Sequence, residues 1–498
     1  MNAWLKRRER WVLALAVLVG TVLRLVRLGA DSLWFDELFS LFIARGSLPS
    51  ILANEANSGH PFLYYALLHF WLSLGQSEAV VRLLSVIAGI LLIPAVYYLA
   101  YLLLDKPTGL IAAWLAALFP FQIYYSRELR MYSLTALWSA LILVLFVRTI
   151  RHGKPGAWVG YVLVGVLGVY TNYYVAFDLA AATLVGLAIR PWRCQWKYLI
   201  GANAGIGLLF VPQAIQFWQK IAGNLGNSVA AGGDASLLSP FTALYYLVFG
   251  HTAPLWLVPV GLFLVLAVLF LASYEELRWR PVRQGGRQTL ALLWAIILMP
   301  MLVTLVISLT WLPIWFERTF TVASPAVIVI MASGIARARQ PFPLLWLGGG
   351  LVVTIGLSLV AYFTRPDIAK PPMREASAYV VERLAAGDLN LHLTDGGYLG
   401  ALYYAPETDP VLLLVERSNW LLASTYHDFG GRTAGPEIEA NRFWLTVIPS
   451  YLTKDQAVVL SSLREKRGCV EAARFGDVRV VIVYLCGSSE MGVTVGFG

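Results

Sequence analysis

Two adjacent carboxylates, Asp36 and Glu37, lie in the run SLWFDELFS between aromatic and aliphatic side chains. Four more polar runs interrupt an otherwise apolar sequence: SGHPFLYY, with His60 and Tyr64; YYSRELRMYS, with Tyr125, Arg127, Glu128, Arg130 and Tyr132; YTNYYVAFD, with Asn172, Tyr173 and Asp178; and WFERTF, with Glu317 and Arg318. An arginine presents a planar fork that grips phosphate oxygens in pairs and stays charged when partly desolvated. A carboxylate nearby can take the proton of an attacking hydroxyl. Together these groups suit a displacement in which a phosphate leaves and an alcohol or amine attacks.

The surrounding sequence sets where these groups lie. A chain of 498 residues that is 58% hydrophobic and 13% charged is polytopic in a membrane, not a soluble globule. About 20 apolar residues cross the roughly 30 Å of hydrocarbon. Eleven such stretches are expected, near 11–29, 80–104, 109–125, 132–150, 157–173, 175–190, 198–217, 254–272, 289–310, 319–336 and 343–363. Trp158 to Ile189 as one helix would be about 48 Å long at 1.5 Å per residue, so it is split near Asn172, Tyr173 and Tyr174. With that split, the basic loops alternate: Lys6, Arg7, Arg8 and Arg10; Lys106; Arg148, Arg151 and Lys154; Arg190, Arg193 and Lys197; Arg278, Arg280, Arg283 and Arg287; Arg337 and Arg339. These mark the cytoplasmic side. The first span is expected to be an uncleaved anchor, since no small-residue cleavage site closes it. The amino terminus is therefore expected inside the cytoplasmic membrane. The first loop (about 30–79), all five polar runs and a carboxy-terminal domain are expected outside. The formal charge of +9 is a topology signal and gives no reason to invoke nucleic acid.

The expected division is a membrane domain over 1–363 and an extracytoplasmic α/β domain over 364–498. In the latter, helices are expected at Tyr379–Leu384 and Gln456–Lys466, and strands at Leu389–Leu393, Pro410–Val415, Phe443–Ile448 and Val478–Leu485. Cys469 and Cys486 flank a hairpin turning at Gly476 and Asp477. Pairing about that turn leaves them two residues out of register, which disfavours a disulfide.

SLWFDELFS, then HPFLYY, YYSRELRMY and YTNYYVAF, in that order and at these spacings, resemble the membrane glycosyltransferases of family 39. That group contains the protein O-mannosyltransferases and the bacterial aminoarabinose transferases, and the bacterial branch is the more similar. The likeness is strong from Leu23 to Arg190, weaker beyond, and only architectural in the outer domain. It implies a GT-C fold of about eleven transmembrane helices and transfer of a sugar from a polyprenyl-phosphate donor to a lipid, glycan or protein acceptor at the outer face, with inversion. Asp36 matches the general base and Glu37 its partner, Arg127 and Arg130 match basic positions near the donor, and Arg318 an arginine holding its phosphate. His60, Tyr64, Tyr132, Asn172 and Tyr173 are candidate substrate contacts. Departures are Phe62, where relatives often have a second proline, and Asn172, where many have histidine. Some relatives bind a divalent ion; no ligand set for one is assigned here, and no other cofactor is implied.

Each residue also has a plainer role open to it. The acidic pair suits the first turn of an interfacial helix. Arg127 and Arg130, three apart, would share a helix face and anchor at headgroup level. Arg318 would snorkel, and His60 would be a hydrogen-bonded loop residue. Arg24 and Arg82, inside spans, either reach the acidic loop or serve as structural ion pairs. Two other functions also need outward cations near lipid: a transporter or flippase of lipid-linked sugars, and a glycan polymerase or ligase. The first usually carries internal repeats, and none is evident.

Overall fold

The computed structural model describes residues 3–53, 59–190, 192–224, 235–279, 286–337, 344–366, 368–415, 425–435, 438 and 440–487. Arg280, Arg283 and Arg339 of the expected basic loops lie outside them. The chain divides into two compact units: Met1–Val26 with Gly59–Tyr64 and Arg82–Thr364, and Arg27–Ser58 with Tyr65–Val81 and Arg365–Gly498.

The helices begin with α1 (Ala3–Leu25), α2 (Phe35–Arg45), α3 (Leu48–Ala53), α4 (Leu63–Trp71) and α5 (Glu78–Leu103). There follow α6 (Lys106–Leu118), α7 (Pro120–Ser126), α8 (Tyr132–His152), α9 (Pro155–Thr171), α10 (Val175–Ala188) and α11 (Trp196–Asn224). Then come α12 (Ser239–Phe249), α13 (Val258–Trp279), α14 (Gly286–Thr310), α15 (Ser324–Arg337) and α16 (Gly349–Thr364). Among the described residues seven helical stretches are long and apolar enough to cross a membrane, or eight if α6 and α7, bent by 55°, form one span. The protein is a multi-pass membrane protein. The expected spans at 157–173 and 175–190 fall on α9 and α10, whose 17 and 14 residues reach about 25 and 21 Å. α1 is long enough, but the charges at Arg8, Glu9, Arg10 and Arg24 keep it out of the seven.

Local chemistry explains the boundaries. α6 starts where the Asp105 carboxylate accepts the Thr108 amide at 3.0 Å, a side-chain cap with Pro107 just inside the helix. α8 stops at Gly153, whose φ of 61° is the left-handed conformation that glycine adopts without strain. The break between α9 and α10 falls at Asn172–Tyr174, where Asn172 leaves the helix and its Oδ1 accepts the Tyr174 amide at 3.0 Å. The short helix α12, buried along Leu247, Val248 and Phe249, was not anticipated from the sequence. At 11 residues it is too short to register as a span.

The second unit carries a six-stranded sheet in the order β3-β2-β1-β4-β6-β5. Its strands are β1 (Leu389–His392), β2 (Val411–Leu413), β3 (Arg432–Ala434), β4 (Arg442–Val447), β5 (Val470–Phe475) and β6 (Val481–Gly487). The helices are α17 (Met373–Val381), α18 (Asp395–Tyr404) and α19 (Lys454–Lys466). β1 runs parallel to β2 and β4, and β6 is antiparallel to β4 and β5. Leu391, Phe443, Leu445, Val447 and Tyr484 share one core, while Trp444, Ile448, Val481 and Val483 pack with Met373, Ala376 and Val380 of α17 in another. The first helix thus starts upstream of the expected Tyr379, directly after Pro371 and Pro372.

The expectation against a disulfide is overturned: Cys469 and Cys486 are bonded, with Cα atoms 4.0 Å apart. Two features restore the register. The turn is longer than expected, since Phe475 pairs with Val481, and a bulge between Glu471 and Ala473 shifts the pairing so that Val470 opposes Leu485. The next positions outward are the two cysteines.

His392, on the α17 face of β1, is buried, and neither ring nitrogen has a hydrogen-bond partner among the described residues. Burial pushes its pKa down from 6.5 to about 3, because a charged imidazolium would be desolvated without compensation. The folded state therefore binds fewer protons than the unfolded one between these values. Stability is fully present above about pH 6.5 and falls at up to about 1.4 kcal/mol per pH unit as pH drops toward 3. Hydrogen exchange of the β4 amides in the full chain, corrected for intrinsic rates, should show this loss between pH 6.5 and 4, and His392→Leu should flatten it.

Candidate active site

The arginines expected to bind phosphate lie in the first unit, at the ends of helices. α6 terminates ahead of Pro120, which has no N–H to offer the Ala116 carbonyl. The fully buried Arg24 of α1 replaces it, with Nη2 donating to Ala116 O at 3.0 Å, Nη1 to Ala117 O at 3.2 Å and Gly20 O at 2.9 Å, and Nε to Ser126 Oγ at 3.1 Å. Arg24 is thus a helix cap. Arg127 answers at the other end: its Nη1 donates to Leu23 O, Arg24 O and Val26 O, the open carbonyls where α1 finishes, and its Nε to Tyr362 Oη at 2.9 Å. Each cation sits at a helix C-terminus, where the helix dipole favours positive charge.

Residues 127–131 form the turn between α7 and α8, in the gap between the expected spans 109–125 and 132–150, so the shared helix face that the plainer role of Arg127 and Arg130 requires is not present. This turn carries both arginines. The Arg130 guanidinium lies over the Tyr132 ring at 5.9 Å, and its carbonyl accepts Ser85 Oγ at 2.9 Å, which is in turn 3.1 Å from the buried Tyr64 hydroxyl. Tyr125 packs edge-on against Tyr132 at 4.9 Å and interacts electrostatically with Glu128 and Arg318. Tyr64, Arg130, Tyr132, Glu128 and Arg318 are therefore brought into one cluster with Tyr125.

Arg318 is half-buried on the 3-10 turn Glu317–Ala323 and stacks on Phe316 at 4.7 Å. Ser139 Oγ holds that turn by donating to Val322 O at 2.8 Å, and the fully buried Asp178 carboxylate meets the same hydroxyl. Asn172 and Tyr173 occupy the α9–α10 turn. Tyr173 packs on Phe210 and Phe217 and accepts from Gln213 Nε2 at 3.1 Å, while Tyr174 meets Phe320 edge-on at 6.2 Å. His60 is half-buried just before α4. A cavity of about 560 Å³ between α9 and α11 is walled by residues such as Trp158, Val162, Leu163 and Tyr198. It has neither carboxylate nor arginine and lies outside the chemistry.

The acidic pair belongs to the second unit. Asp36 and Glu37 are the second and third residues of α2. Glu37 is fully buried and its Oε2 accepts the Trp34 amide at 3.4 Å, so it closes the first turn. Asp36 is only partly buried, which leaves it the better placed of the two to meet a substrate. The Trp34 ring next to it carries Lys370 Nζ at 4.4 Å from its centroid. Among the described residues no group of three or more His, Cys, Asp or Glu side chains is arranged to hold a metal ion.

Comparison with known proteins places this architecture. The structure matches that of ArnT from Cupriavidus metallidurans in the apo state over 96% of this chain and 98% of that one, with a TM-score of 0.63 at 13% identity. The chain has the GT-C fold of membrane glycosyltransferases. The same ArnT bound to undecaprenyl phosphate matches over 95% and 98%, with a TM-score of 0.58 at 13% identity. An oligosaccharyltransferase from Archaeoglobus fulgidus tethered to an acceptor peptide matches over 90% of this chain and 70% of that one, with a TM-score of 0.50 at 12% identity. In sequence, residues 59–215 match the family described as dolichyl-phosphate-mannose-protein mannosyltransferase. A search of curated proteins gives no match.

Missed from the sequence were the capping roles of Arg24 and Arg127 and the contribution of Tyr362, because each joins residues about a hundred or more positions apart. The one local clue was Pro120, which forecasts orphan carbonyls upstream without naming their donor. Arg24→Met keeps the volume but removes those donors inside an apolar surrounding. Its melting curve in detergent should show a loss of about 3 kcal/mol or more, with Arg24→Lys recovering part. An unchanged curve contradicts the capping role.

Proposed function

We propose that this protein transfers a sugar from a polyprenyl-phosphate donor to a lipid, glycan or protein acceptor on the outer face of the cytoplasmic membrane, with inversion at the anomeric carbon. The observation that carries this reading is the match of the whole chain to the fold of ArnT, a protein also known in complex with undecaprenyl phosphate. The family match over residues 59–215 supports it independently from sequence. The alternation of basic loops supports a cytoplasmic amino terminus and an extracytoplasmic carboxy-terminal domain.

In the proposed reaction Asp36 accepts the proton of the acceptor hydroxyl or amine as that atom bonds to the anomeric carbon. The bond from the anomeric carbon to the phosphate oxygen breaks, and its electron pair leaves with the polyprenyl phosphate. Arg127, Arg130 and Arg318 hold the phosphate and stabilise the charge that grows on it. The hydrogen bonds of Arg127 to α1 carbonyls and Tyr362 keep its side chain in one orientation, which favours this role. Glu37 is the partner of the base: by capping α2 it fixes where Asp36 stands. His60, Tyr64, Tyr132, Asn172 and Tyr173 contact substrate or support residues that do.

Full-length protein in lipid nanodiscs, supplied with undecaprenyl phosphate carrying mannose or aminoarabinose, should release the sugar. Asp36→Asn should lower kcat by at least about 100-fold. Normal turnover by Asp36→Asn removes Asp36 as the base, and lipid translocation without sugar release contradicts the reading as a transferase.

A further inference from the structure

The approach to the acidic pair, Gly29–Leu33, is held by side chains from the carboxy-terminal part of the same unit. Arg374, on the first turn of α17, donates from Nε to Glu78 Oε1 at 2.9 Å and from Nη2 to Gly29 O at 3.2 Å, and its amide meets Ser32 Oγ at 3.2 Å. Arg374 Nη2 also bonds Glu78 Oε1. Tyr404, the last residue of α18, accepts the Leu33 amide on its hydroxyl at 2.7 Å and donates to Glu78 Oε1 at 3.1 Å. Glu78, at the start of α5, thus joins both anchors, and the Arg374 guanidinium lies over the Tyr404 ring at 5.9 Å.

Farther along α2 the same unit supplies more fixings. Gly396 lies so near that a Cβ there would stand 3.0 Å from the Tyr451 ring and 3.5 Å from Phe35. Phe429 packs on Phe39 and Phe42, and Arg45 donates to Gln76, whose carbonyl accepts the Tyr403 hydroxyl. The helix bearing Asp36 is therefore located at both ends by residues hundreds of positions away in sequence. The Arg374–Glu78 pair is not a strong source of stability, since the arginine side chain is 38% exposed. Its geometry is better explained by what it holds: Arg374 anchors Gly29 and Ser32, and Tyr404, bonded to Glu78, anchors Leu33, in the residues leading to Trp34 and Asp36.

We propose that Arg374, Tyr404 and Glu78 are positioning residues of the transfer reaction, through which the carboxy-terminal domain sets the stance of Asp36. This rests on Asp36 as the base. In the full chain in nanodiscs, Arg374→Gln and Tyr404→Phe should each speed amide exchange across residues 29–38 by on the order of tenfold, while β4 keeps its protection. Unchanged exchange in 29–38 overturns the clamp. In the sugar-release assay the same variants should lower kcat on the order of 10- to 100-fold with KM unchanged, and Arg374→Lys should recover part. An unaltered kcat, in a preparation whose wild type turns over and whose Asp36→Asn does not, overturns the positioning role. A wild type that transfers nothing contradicts the reaction itself, and the exchange measurement then still decides whether the clamp exists.

Discussion

Inside an apolar unit every helix end exposes carbonyls that water cannot reach, and the membrane unit depends on how those at the ends of α1 and α6 are satisfied. Arg24 and Arg127 answer each other: α1 supplies the donor for the end of α6, and the turn after α7 supplies the donor for the end of α1. The exchange allows the 55° bend at Phe119 to persist in a buried setting. It also fixes the turn that carries Arg127 and Arg130. A charge within the hydrocarbon is costly alone, yet here each guanidinium has several acceptors and a favourable helix dipole.

A similar economy separates the two carboxylates of α2. Glu37 is buried and committed to the Trp34 amide, whereas Asp36 is partly open. In the proposed reaction two adjacent acids thereby take different tasks, one structural and one chemical, set by burial and hydrogen bonding. The anchors at Gly29, Ser32 and Leu33 extend that logic outward, because a base on a short helix is only as well placed as the segment leading into it.

The sequence made legible what is encoded locally. The apolar stretches, the break at Asn172–Tyr174 forced by length, and the short, mostly apolar runs of β1 and β4 are all properties of a few neighbouring residues. What it hid was pairing at a distance. The disulfide was misjudged because a turn length and one bulge, neither visible in composition, moved the register by two positions. Arg127 and Arg130 fall between α7 and α8, in the gap left by the expected spans 109–125 and 132–150, but their spacing of three gives no shared helix face because those residues are not helical. Pro120 marks the orphan carbonyls of α6 but not Arg24 as their donor, and the anchors from α17 and α18 have no local trace.

The central claim is that the proposed arginines of this GT-C fold hold a lipid-borne phosphate. The most direct measurement is retention of undecaprenyl phosphate against undecaprenol by the full chain in native mass spectrometry, for the wild type and an Arg130→Gln, Arg318→Gln double variant. The account predicts that the wild type retains the phosphate in strong preference to the alcohol and that the variant loses this preference. Equal retention of both lipids by the wild type would contradict it.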